Sequence, residues 1–115
     1  MELISKKIGD VYVIYMPPNM DMMTSSSIEN ELNALINKDP NADMLLNLKD
    51  VEEISSSGLR IFLSIRRKLK TNNRILKICE VNNPGVREAF NVTNISEILE
   101  IGLTEQESLK SFQKK

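Results

Sequence analysis

The stretch MLLNLKDVEEISSSGLR, residues 44–60, decides how this chain folds. Met44 to Lys49 is a nearly continuous apolar run, as expected of a strand buried on both faces. An acidic turn follows, then three serines and a glycine. From Leu59 onward an apolar stripe appears at helical spacing: Leu59, Phe62, Ile65 and Leu69, with Arg60, Arg67 and Lys70 turned outward. The serines therefore sit where a strand hands over to a helix. Spacing alone leaves two readings open. One serine caps the helix and the others fill the turn, or a hydroxyl there serves as a site of reversible phosphorylation. A phosphate at that place would meet unpaired N–H groups and the positive end of the helix dipole.

Outward from this unit, strands and helices alternate. Val11 to Met16 (VYVIYM) is β-branched and continuous, and is expected to pair with a first strand near Leu3 to Lys6 through a turn at Gly9-Asp10. Arg74 to Val81 (RILKICEV) supplies another strand, and Ile95 to Ile101 (ISEILEI) a short closing one. Ile28, Leu32, Leu35 and Ile36 mark a first helix, with Ser26 and Glu29 as a capping box. Asn83 and Pro84 open a third helix. Thr104 and Glu107 cap a fourth, anchored by Leu109 and Phe112. The order predicts one α/β domain over residues 1–115, with a largely parallel sheet and right-handed crossovers. The segments PPNMDMMTSS, DVEEISSSGL and VNNPG then leave the same sheet edge, where open α/β sheets bind.

Composition narrows the function. Fifteen basic residues face 16 acidic ones, which argues against nucleic acid as the main partner. The run RRKLK, Arg66 to Lys70, falls where a helix should end and reads as charge placed by the dipole. The chain has no histidine and one cysteine, so a Ser-His-Asp triad, a Cys-His pair, a histidine metal site and a thiolate zinc site are all excluded. No phosphate-binding glycine loop or nucleophile elbow occurs. Catalytic residues, cofactor and metal are all expected to be absent. Cys79 lies in an apolar run and reads as a buried reduced thiol. No segment reaches membrane-spanning length, and a cytoplasmic location is expected.

Four of the six methionines fall at residues 16–23. Each reads either as a plug beneath the loop or as part of an adaptable apolar contact surface. Asp21, among them, is a helix-start acid or an acceptor near the serines.

NLKDVEEISSSGL, residues 47–59, resembles the signature of the anti-sigma factor antagonists, the STAS-domain family. Its members read N/D-L-x-x-V/L-x-x-I/M-D-S-S/A-G-L at the end of the third strand. Asn47, Leu48, Val51, Ile54, Ser56, Ser57, Gly58 and Leu59 match. PNMDMMT falls where the family has G-x-L-D-x-x-T, keeping Asp21 and Thr24. NNPGVREAFNVTNISEILEI resembles the later proline-started helix and closing strand. Two positions depart: Ser55 replaces the acid before the phosphorylated serine, and Pro18 replaces a glycine.

The resemblance covers essentially the whole chain. It implies a STAS-like domain with a central, mostly parallel sheet of four to five strands and helices packed against it. It also implies a switchable binding protein whose partner is an anti-sigma factor that is also an ATP-using serine kinase. That kinase would phosphorylate Ser56, with Ser57 as the alternative acceptor, and a metal-dependent serine phosphatase would reverse the step. Met20, Asp21, Met22, Met23, Thr24, Ser55, Ser57, Gly58 and Leu59 would contact the partner. A STAS module that binds without being phosphorylated is the alternative. A receiver domain ranks lower, because IYMPPNMD lacks the acidic pair such a domain needs. An enzyme acting on a small molecule ranks last.

Overall fold

The computed structural model describes residues 2–112. β1 (Ile4–Ile8) turns through Gly9 and Asp10 into β2 (Val11–Tyr15), with Ile8 opposite Val11. Gly9 holds the φ of +60° that this two-residue turn requires. After β3 (Asn19–Met20), the chain runs through α1 (Ser25–Lys38), β4 (Asp43–Asn47), β5 (Glu53–Ile54) and α2 (Ser56–Thr71). It continues as β6 (Leu76–Cys79), α3 (Pro84–Val92), a 3-10 turn at Ile95–Glu97, β7 (Glu100–Gly102) and α4 (Glu105–Phe112). The five-stranded sheet has the order β1-β2-β4-β6-β7, and only β1 runs antiparallel to its neighbour.

Alternation along the central strands divides the molecule into three layers. Tyr12, Ile14, Met44, Leu46, Leu76 and Ile78 face α1, α2 and α3, which contribute Ile28, Leu32, Phe62, Ile65 and Phe90 to one large core. The Phe62 and Phe90 rings meet with centroids 5.7 Å apart. Val11, Val13, Leu45 and Cys79 face the other way, against Phe112 and Leu109 of α4. Burial on both faces explains the unbroken apolar runs of β2 and β4. Among the described residues, no helix is long and apolar enough to cross a membrane.

Four sequence expectations change. The first strand lies at Ile4–Ile8, later than Leu3 to Lys6. ISEILEI divides into a 3-10 turn that buries Ile95 and a strand starting at Glu100. The Ser26–Glu29 capping box does not form. The N-cap of α1 is Thr24, two residues before Ser26, and Glu29 instead accepts from Ser64 Oγ on α2 at 2.8 Å. At α4 half of the expected box is made, with Glu107 N donating to Thr104 Oγ1 at 3.1 Å. The Asn83 cap of α3 forms as expected, accepting from Gly85 N and Val86 N.

Candidate functional site

Two loops leave the C-terminal edge of the sheet joined to each other. β3 and β5 pair in parallel, Asn19 with Glu53 and Met20 with Ile54. Pro18 O accepts from Glu52 N at 2.7 Å and Glu53 N at 3.1 Å, and Ser55 N donates to Met20 O at 2.8 Å. Met22 and Ser56 each lie two residues beyond the last rung of this ladder. The methionine run and the serine run are therefore set by one piece of backbone. Two-residue strands carry no periodic signal, so the sequence gives no sign of the ladder.

Ser55 is the N-cap of α2. Its backbone is extended (φ −98°, ψ 175°), and its Oγ accepts from Gly58 N at 3.3 Å. Leu59 N donates to Ser55 O at 3.0 Å. The N–H groups of Ser56 and Ser57 are thus left without a partner among the described residues. Ser56 is the first helical residue and is exposed, while Ser57 is half-buried. A group at Ser56 sits at the positive end of the helix dipole, beside free donors. Gly58 follows from close approach: a Cβ there would lie 2.6 Å from Met20 O and 2.9 Å from Ile54 Cγ1.

Asp21 stands three residues before Thr24, the N-cap of α1, and ties the turn that leads into the helix. Its Oδ1 accepts from Met23 N at 2.9 Å and Thr24 N at 3.1 Å, and its carbonyl accepts from Ser25 N. Thr24 Oγ1 accepts from Asp21 N and donates to Asn19 O at 3.0 Å. These bonds close the turn before the helix, and the N-cap itself, Thr24, makes no side-chain cap bond. Met22 and Met23 project from the turn that Asp21 holds, 79% and 89% exposed.

A polar cluster on the α4 side anchors the start of the serine loop. Asn47, buried at the end of β4, donates from Nδ2 to Glu105 Oε1 at 2.9 Å and accepts from Lys49 N at 2.8 Å. Tyr15 OH donates to the same Glu105 oxygen at 2.7 Å, and Lys6 Nζ lies 2.9 Å from Glu105 Oε2. Burial pushes the Glu105 carboxyl upward, but the bonds from Tyr15, Lys6 and Asn47 outweigh it and hold the group below its usual range. Burial, and then the bond to Glu105, raise the Tyr15 phenol. Sequence reasoning placed Asn47 in a motif without giving it a task, because its partner lies 58 residues away. Beside the loop, Pro18, Lys49, Asp50 and Glu52 line an open cleft of about 580 Å³. Among the described residues, no group of three or more acidic, thiol or imidazole side chains gathers to hold a metal.

With this geometry in view, comparison with known proteins places the chain. The family model described as the STAS domain matches residues 2–108. The chain belongs to the STAS family. BtrV of Bordetella bronchiseptica, named as a candidate anti-sigma factor antagonist, is 26% identical over 113 residues, covering 98% of this chain and 96% of its own. A crystal structure from Thermotoga maritima, described in the same terms, superposes with a TM-score of 0.88 at 22% identity, covering 97% of this chain and 95% of that one. The Bacillus cell fate determinant SpoIIAA in its phosphorylated form gives 0.71 at 16% identity, covering 97% of this chain and 100% of that one.

Within this STAS domain, Ser56 and the residues expected to meet a partner separate into three groups by exposure. Ser56, Met22 and Met23 reach solvent. Asp21, Thr24, Ser55 and Ser57 are half-buried, and the polar side chains of the first three serve the loops themselves. Met20, Gly58 and Leu59 are buried. Met20 is 0% exposed and belongs to the main core, as does Leu59, and Gly58 is pressed against β3. The STAS loop needs an apolar plug where α2 meets the sheet, and Met20 and Leu59 provide it. Their side chains are therefore spent on packing.

Proposed function

We propose that this STAS domain is an anti-sigma factor antagonist: a cytoplasmic binding protein, not an enzyme, that captures an anti-sigma factor and so frees a sigma factor. The partner is an anti-sigma factor with serine kinase activity that phosphorylates Ser56, and a serine phosphatase restores the unmodified form. The observation that carries this reading is Ser56 itself. It is exposed, stands first in α2 beside unpaired N–H groups, and follows the same short ladder from which the exposed Met22–Met23 tip projects. A phosphate would add roughly −1.5 to −2 charges. Exposed Glu52 and Glu53 stand just before it in the chain, so the new charge joins an already acidic loop. An apolar contact across Met22 and Met23 then requires that charge to be desolvated, which weakens the complex. The family name carried by BtrV and the phosphorylated form of SpoIIAA support the same reading.

The test is incubation with the cognate kinase and ATP. Ser56→Ala should keep partner affinity and lose phosphate incorporation. Ser56→Asp should weaken binding about tenfold or more, where tenfold corresponds to about 1.4 kcal/mol. Phosphopeptide mapping that finds label only outside residues 55–57 sinks the assignment, and label at Ser57 moves it by one residue.

A second reading, a STAS module that binds constitutively, draws on Ser55, which stands where the family motif has an acid. Serine and aspartate are comparable caps, and Ser55 fulfils that role here, so the replacement keeps the loop geometry. A stable stoichiometric partner combined with no incorporation under any kinase would select this second reading.

A further inference from the structure

The far end of α2 carries a charge arrangement that the reading above does not use. Arg66 and Lys70 stand one turn apart on the same helix face. The chain then leaves the helix through Asn73 at a φ of 61° and folds back, with Arg74 N donating to Leu69 O at 2.7 Å. Arg66, Lys70 and Arg74 thereby line one cavity of about 330 Å³, with Ile75, Leu76 and Ile98 as its apolar lining. Glu100 is the single acid on the wall, and its carboxylate lies 3.5 Å from Lys77 Nζ.

Among the described residues, neither Arg66 nor Lys70 forms an ion pair. The adjacent Lys68, by contrast, pairs with Glu29 and Asn33. Arg74 Nη1 is steadied by Asn41 O at 3.2 Å, while its Nε is buried without a partner. Attraction to the helix C-terminus accounts for Lys70, but the dipole effect fades within the last turn. Arg66 lies before that turn and Arg74 lies outside the helix. The terminal carbonyls do not oppose an anion strongly here. Leu69 O accepts from Asn72 N and Arg74 N, and Lys70 O from Asn73 N. Three clustered cations facing one acid, itself engaged by Lys77, leave the cavity with an excess of positive charge.

We propose that this cavity is a binding site for a phosphate-type dianion, held by Arg66, Lys70 and Arg74. The site lies at the opposite end of α2 from Ser56. Ile75 and Ile98, 44% and 48% exposed, give it an apolar shoulder. That shoulder suits a phosphate carried on a larger molecule as well as the free ion.

The probe is inorganic pyrophosphate, titrated at near-physiological salt and followed by backbone amide NMR, with inorganic phosphate and a nucleoside monophosphate as parallel arms. Saturable shifts confined to residues 66–76 and 98–100 are expected. The Arg66→Gln/Lys70→Gln double variant, checked for fold by circular dichroism, should lose affinity about tenfold or more. Tighter binding of the nucleotide would mark a phosphate borne on a larger molecule, and equal binding would mark the free ion. No saturable shift, equal affinity in the double variant, or equal shifts with an acidic peptide or with chloride would each overturn the proposal.

Discussion

Gly58→Ala would place a methyl group 2.6 Å from Met20 O, a backbone atom already bonded to Ser55 N and Ser55 Oγ. That carbonyl cannot move without opening the ladder. Overpacking of this kind costs about 1–3 kcal/mol, and alanine returns up to about 1 kcal/mol of helix propensity. A net loss of about 1–2 kcal/mol is expected, seen as a lower urea midpoint with an unchanged slope; an unchanged midpoint would show that the approach has no consequence. The demand for glycine was legible as a motif but not as a mechanism. Spacing placed Gly58 in the first turn of a helix, yet what it touches comes from a loop 38 residues earlier. The three serines show the same division. A cap was expected among them, and the fold gives that role to Ser55 and leaves Ser56 exposed.

Helix α4 shows how far local signals reach. Thr104, Leu109 and Phe112 announced it, but the side chain that fastens it, Glu105, carried no sign in the sequence. Its partners are Lys6, Tyr15 and Asn47, each on a different strand or strand end. Because the folded carboxyl is held below its usual range, its contribution is present in full above the ordinary glutamate value. It is lost as pH falls through the lowered value. Glu105→Gln should therefore be less stable than the wild type at neutral pH, and the gap should close in acid. Thermal melts at a series of pH values check this, and a gap independent of pH would show that the charge is immaterial. The closing strand was half-legible. ISEILEI is apolar enough for a strand, but β7 must begin only after the chain has turned past Ile95.

At the scale of the molecule, among the described residues, three helices cover one sheet face and α4 covers the other. The smaller core holds Cys79, at 0% exposure. Burial, with some help from Glu80 and Glu105, pushes its thiol up to about 12, so almost no thiolate exists near neutral pH. Labelling by a thiol reagent at pH 8 is expected to be negligible in the native state. It should track global unfolding as urea is added, with α4 docked on the strand until the domain unfolds. Rapid stoichiometric labelling without denaturant would show that α4 opens independently of the rest. The layer order was legible because β2 and β4 are apolar on both sides. Which helices share a face was not, since a crossover can return on either side of a strand until packing decides.

The β3–β5 ladder also sets what a mutational survey of this protein can detect. Apart from the bond from Ser55 Oγ to Met20 O, the hydrogen bonds that hold the two loops together run between main-chain atoms at residues 18–20 and 52–55. Alanine scanning leaves the main-chain bonds in place, so an exposed position such as Glu53 would score as silent although its amide helps register the serine loop. Proline at Glu53, or an amide-to-ester exchange at Ser55, removes a donor and exposes the dependence. Tolerance to side-chain change in these segments therefore says little about their importance, because the constraint is carried by atoms that every residue shares.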